Sequence, residues 1–136
     1  MERALETVER LLQATNRHDL EALVGCFAED FVNETPVHPA RGFQGRDQVR
    51  RNWEQIFAGV PDLHATVTRS AVDGDLVWTE WEMVGLRRDG SPHRMIGVVV
   101  FEAREGLIRR AHFYLEPADS STATVDDAVS AQLAPR

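Results

Sequence analysis

The chain has 136 residues, a formal net charge of −7, and 43% hydrophobic against 27% charged residues. That length suits a single domain able to bury roughly two thirds of the surface its unfolded form exposes, and no apolar run is long enough to cross a bilayer. The acidic balance excludes a general affinity for nucleic acid, which depends on clustered cations that neutralise phosphates.

The arginine pairs Arg50-Arg51, Arg87-Arg88 and Arg109-Arg110 are scattered among acids and suit a solvated face with local ion pairs. The first residues run straight into a charged helical pattern with no signal-peptide core, and the single Cys26 has no partner for an internal disulfide. A cytoplasmic location, with no membrane and no nucleic-acid partner, is the expectation.

Leu5, Val8, Leu11, Leu12 and Thr15 recur at helical spacing, with Asn16 as a stop, and predict a first helix. Asp19 stands where an N-cap belongs, ahead of Leu20, Leu23, Val24 and Phe27, so a second short helix follows after a tight corner. Phe31 to Thr35 reads as a short strand, which Pro36 and Pro39 end because proline removes a ladder donor. An irregular loop leads to a third helix opened by Gly45-Arg46-Asp47, with Val49, Trp53, Ile56, Phe57 and Val60 as its apolar stripe.

From Leu63 the period changes to two. Four strands are predicted, near 63–72, 76–86, 93–103 and 107–115, joined by Asp73-Gly74, Asp89-Gly90 and Glu105-Gly106 in an antiparallel meander. Residues 1–117 are expected to form the domain and 118–136 an Ala/Ser/Thr/Asp-rich tail, in which Thr124 and Asp127 mark a weak helix start.

Five segments carry a resemblance: Asn16-Arg17-His18-Asp19-Leu20-Glu21-Ala22-Leu23, Phe27-Ala28-Glu29-Asp30, Gly45-Arg46-Asp47 with Arg51, the strand at Glu80-Trp81, and Glu105-Gly106-Leu107-Ile108 before an aromatic last strand. In these segments and in element order, residues 1–117 resemble the nuclear-transport-factor-2-like superfamily, and within it the SnoaL-like polyketide cyclase branch. The resemblance implies an α+β fold: a cone-shaped, curved antiparallel sheet packed on three N-terminal helices around an internal, largely apolar cavity. It also implies enzymes that need no metal or dissolved cofactor, or modules that only bind. One such fold hosts many chemistries, so the site must be argued from its own residues.

Alternation along the strand puts Trp78, Glu80 and Glu82 on one face and Thr79, Trp81 and Met83 on the other. The family register sends the glutamates outward, where many relatives dimerise, and leaves Trp81 and Met83 where epoxide hydrolases of the superfamily carry an Arg and an Asp. Phe113 falls near the acid of their last strand, so neither that machinery nor the His and Asp of SnoaL-type cyclases carries over. A homodimer through the outer sheet face is expected in place of a Glu80/Glu82 catalytic pair; a register slip of one residue would reverse that assignment.

The expected cavity wall comprises Phe31, Asn33, Thr35, Trp53, Phe57, Thr79, Trp81, Met83 and Phe113, with Trp81 stacking on a small hydrophobic ligand and Asn33 or His38 orienting it. If the chain is an enzyme, His38 or Glu34 is the proton carrier for isomerisation, dehydration or cyclisation of a carbonyl compound. The alternative is a non-catalytic module that binds a ligand or a protein. Glu34 and His38 have a ligand-like spacing that Pro36 denies a helix, the other histidines are dispersed, and no metal is expected.

Overall fold

The computed structural model describes residues 2–136. Helix α1 (Ala4–Arg17) buries Thr7, Val8, Leu11, Ala14 and Thr15, one stripe at spacings of three and four. It ends at Arg17, one residue past the expected stop, and is capped by His18, whose backbone turns left-handed (φ 54°) and returns its N–H to the carbonyls of Ala14 and Thr15. Asn16 instead acts as a surrogate strand residue, its amide donating to the Ala65 carbonyl at 2.9 Å and accepting from the Ala65 N–H at 2.7 Å.

The Asp19 carboxylate caps α2 (Leu20–Val24) through the Ala22 N–H at 3.1 Å. Strand β1 (Phe27–Glu34) begins earlier than its composition suggests and takes in Phe27, because pairing with a later strand decides where it starts. A short helical turn at Pro39–Arg41 leads to β2 (Phe43–Gln44), α3 (Arg46–Gly59), β3 (His64–Asp73), β4 (Leu76–Leu86), β5 (Pro92–Arg104) and β6 (Leu107–Pro117). The tail carries α4 (Val125–Leu133), started by a reciprocal capping box between Thr124 and Asp127 and exposed along its whole length.

The strands form one curved, unclosed sheet in the order β2-β1-β6-β5-β4-β3. The meander from β3 to β6 is antiparallel as expected, and β1 joins it parallel to β6, which makes the six-stranded sheet mixed. On β4 the buried residues are Val77, Thr79, Trp81 and Met83, so the glutamates do face outward. The concave face packs on α1 and α3 around Leu11, Phe27, Phe31, Val99 and Phe101. No helix among the described residues is long and apolar enough to cross a membrane.

Gly97 sets the bend. It lies opposite Trp81 on β4 and Leu115 on β6, and a Cβ there would stand 2.1 Å from the Tyr114 carbonyl oxygen and 2.8 Å from Leu115 Cα. Only glycine lets β6 press this closely against β5.

Candidate functional site

The interior of the cone has a front and a back, divided near Gly97. At the front is a half-open cavity of about 380 Å³. Strand β1 contributes Phe27, Phe31 and Asn33, followed by Thr35; β2 gives Phe43, and Arg41 comes from the short turn before it. Helix α3 presents Val49, Asn52, Trp53 and Ile56, residues that share one helical face. The sheet closes the far wall with Met83, His93, Met95, Phe113 and Leu115.

Most of this wall is apolar, and its few polar groups are incompletely used. Asn33 is 5% exposed, and its Oδ1 is buried without a hydrogen-bond partner, while its amide nitrogen makes only a long 3.4 Å contact with Thr35 Oγ1. An unpaired buried acceptor costs about 1–3 kcal/mol in an otherwise satisfied core. Asn52 accepts a 2.8 Å bond from Gln48 Nε2 through its Oδ1, which leaves its NH₂ free. His93 is partly buried, and burial, reinforced by the charge of Arg87, holds its imidazole below the ordinary value of 6.5. It is therefore neutral at pH 7 and able to accept a proton.

At the back the polar groups close on one another. The Trp81 indole donates to Thr79 Oγ1 at 2.6 Å, and Thr79 donates to the Val99 carbonyl at 2.7 Å. The space beside them is about 20 Å³, room for one water at most, walled by Leu11, Val99, Phe101 and their neighbours. Phe57 turns to the corner between α1 and α2, where it stacks on His18 at a centroid distance of 4.6 Å.

Of the residues expected in the wall, the structure gathers Phe31, Asn33, Thr35, Trp53, Met83 and Phe113 around the front cavity. Thr79 and Trp81 lie in the closed core behind it, and Phe57 lies off to the side. Glu34 follows Asn33 in a strand and so points to the convex face, where it pairs with Arg110 at 2.5 Å and His112 at 3.4 Å. His38 stands outside the wall, with Nε2 2.8 Å from Glu116 Oε1, and ties the loop before β2 to the end of β6.

Sequence reasoning passed over Arg41, Asn52, His93 and Met95. The signals for three of them were present: Asn52 is a polar member of an apolar helical stripe, and His93 and Met95 share the inward parity of Val99. Cys26 is fully buried, and burial raises its thiol above the ordinary range, which makes it an inert core residue. Among the described residues no three His, Cys, Asp or Glu side chains converge as a metal site would require.

A family model described as the SnoaL-like domain matches residues 8–111. The chain belongs to the SnoaL-like family. Its fold is similar to wild-type IdmH of Streptomyces antibioticus, a candidate polyketide cyclase, with 26% identity over 84% of this chain and 92% of that one and a TM-score of 0.73. RV0760c of Mycobacterium tuberculosis, solved with estradiol-17beta-hemisuccinate, matches at 20% identity over 82% and 92% of the two chains, with a TM-score of 0.70. A ketosteroid-isomerase-like protein of Catenulispora acidiphila, solved with trimethylamine, matches at 22% identity over 80% and 85%, with a TM-score of 0.67. No curated protein matches the chain in sequence.

Proposed function

We propose that this SnoaL-like protein binds a small, largely apolar, ring-bearing molecule in the front cavity and rearranges it by proton transfer at a carbon next to a carbonyl. The observation that carries the binding half is the unpaired Asn33 Oδ1 in an apolar cavity of about 380 Å³. A ligand hydroxyl or amide N–H would satisfy it. That volume corresponds to roughly a dozen waters of liquid, enough for one or two fused rings.

For the chemical half, His93 is the lining group able to act as a base. Its neutral ring takes the α-proton, and the C–H electron pair moves to the carbonyl oxygen to give an enolate. Return of the proton at another carbon is isomerisation, loss of a β-hydroxyl as water is dehydration, and attack on a second carbonyl is cyclisation. His38 serves here as a positioning residue that fixes the loop through Glu116, and Glu34 belongs to the outer face.

A second reading, binding without catalysis, draws on the lack of any carboxylate among the lining residues. Proton exchange separates the two. With α-tetralone as probe in D₂O, the wild type should speed α-deuteration and His93→Gln should not, while both bind the ketone. Binding without acceleration would favour the non-catalytic module, and no binding to the wild type would reject both readings.

The convex face supports a homodimer. Trp78 is 50% exposed beside Ile96, Val98, Val100 and Tyr114, flanked by the pairs Arg69–Glu80 and Arg94–Glu82 at 2.9 and 2.8 Å. An apolar centre with both charge signs at its rim complements its own copy across a two-fold axis. Sedimentation should show a dimer that Trp78→Asp converts to monomer, and a monomeric wild type would contradict it.

A further inference from the structure

The cavity's charge runs against that of the chain. The protein carries 22 acidic residues against 15 arginines, yet among the described residues that line the cavity the ionisable ones are Arg41 and His93, both basic. Resting on the cavity-binding reading above, we infer that the ligand is a monoanion: an apolar ring body that enters the cavity and a carboxylate or comparably acidic group that stays at its mouth against Arg41 and the Asn52 amide.

Arg41 is held in place for this. Pro39 and the bonds Arg41 N–H to His38 O at 2.9 Å and Gly42 N–H to Pro39 O at 3.2 Å fix the turn that carries it. The acid nearest the guanidinium is Glu116, whose Oε2 is 3.9 Å away, beyond hydrogen-bond range, while its Oε1 faces His38 at 2.8 Å. Glu116 thus lies nearer to His38 than to Arg41, and among the described residues no side chain hydrogen-bonds the Arg41 guanidinium. The guanidinium fork matches a carboxylate in shape as well as charge.

Asn52 adds to the same preference. Because Gln48 occupies its Oδ1, what Asn52 offers the cavity is a donor. A cation would be repelled by Arg41, whose charge is only partly offset by Glu116 at 3.9 Å, and a neutral ligand would gain no more than ordinary hydrogen bonds from the two donors. Placing the anion at the mouth also keeps it partly hydrated, since the Arg41 side chain is 61% exposed, whereas an ion deeper among Phe31, Val49 and Phe113 would lose its water without recompense.

The experiment compares 2-naphthoate, neutral 2-naphthamide and cationic 2-naphthylmethylamine by calorimetry at pH 8. The wild type should bind naphthoate about tenfold or more tightly than naphthamide, and the amine most weakly, a margin suited to a charge-assisted hydrogen bond. Arg41→Gln should bring naphthoate down to the level of naphthamide with naphthamide itself unchanged, and Arg41→Lys should restore part of the gap. Equal binding of naphthoate and naphthamide to the wild type, a preference for the amine, or a gap that survives Arg41→Gln would overturn the inference and leave the cavity reading intact. Failure of all three probes to bind would defeat both.

Discussion

The front and back of this cone are built from the same strands and nearly the same residue types, yet one makes a core and the other a site. On β4, Trp81 and Met83 stand two residues apart on the same face. Trp81 donates its indole N–H to Thr79, whose hydroxyl passes the bond on to Val99, so nothing polar at the back is left for a guest. Met83 lies one step forward, where it borders both the small back space and the large front cavity, whose wall includes Asn33 with an amide oxygen that has no protein partner. Aromatic side chains alone do not mark a pocket. Where buried polar groups are mutually satisfied the interior is structural, and where one is left open the interior is poised for a ligand.

Substitutions at the boundary, the back and the front should separate these roles. The largest effect is expected at the boundary: Gly97→Ala drives a methyl into the Tyr114 carbonyl, and denaturant unfolding should show a loss of about 4 kcal/mol or more. Next is the back. Trp81→Ala should cost about 3–5 kcal/mol by emptying the core, whereas the milder Trp81→Phe should lower stability and leave ligand affinity nearly untouched. A collapse of affinity in Trp81→Phe would erase the distinction between the two halves.

At the front the sign reverses. Asn33→Leu removes an unsatisfied buried acceptor, so stability should stay level or rise by up to about 1 kcal/mol while affinity for a cavity ligand falls. The smallest effect is at His93. Its folded pKa lies below its unfolded value, so in the window between them the unfolded chain binds more protons and stability rises with pH. The contribution is complete above pH 6.5 and lost as pH falls toward the folded value. His93→Gln should flatten that slope in thermal melts taken between pH 5 and 7, compared on the acid side of about pH 6.5.

Much of the fold was legible because its signals are local. Asp19 before Leu20, the glycine turns of the meander and the period-two runs each state a conformation within a few residues, and the parity of β4 told inside from outside correctly. What escaped was decided at a distance. Phe27 reads as helical until β6 is there to pair with it, and the parallel pairing of β1 with β6 joins residues some eighty positions apart.

The site was legible in the same uneven way. Parity along a strand says that Thr79, Trp81 and Met83 face inward, but it does not say which of them meets a packed helix and which meets space. That depends on the bend at Gly97 and on the reach of α3, both tertiary. Arg41 escaped for a related reason: a loop arginine looks solvated until the fold brings its turn to the cavity wall.

The most direct measurement follows the side-chain N–H signals of an isotope-labelled wild type in a nitrogen–proton correlation spectrum while 2-naphthoate is added. The Asn33 amide and the Trp53 indole should shift progressively and saturate together, with the Trp81 indole and the outward-facing Trp78 indole holding still. Shifts confined to Trp78, or a Trp81 signal that moves while Asn33 does not, would place the ligand elsewhere and contradict the division of this interior into a closed back and a receptive front.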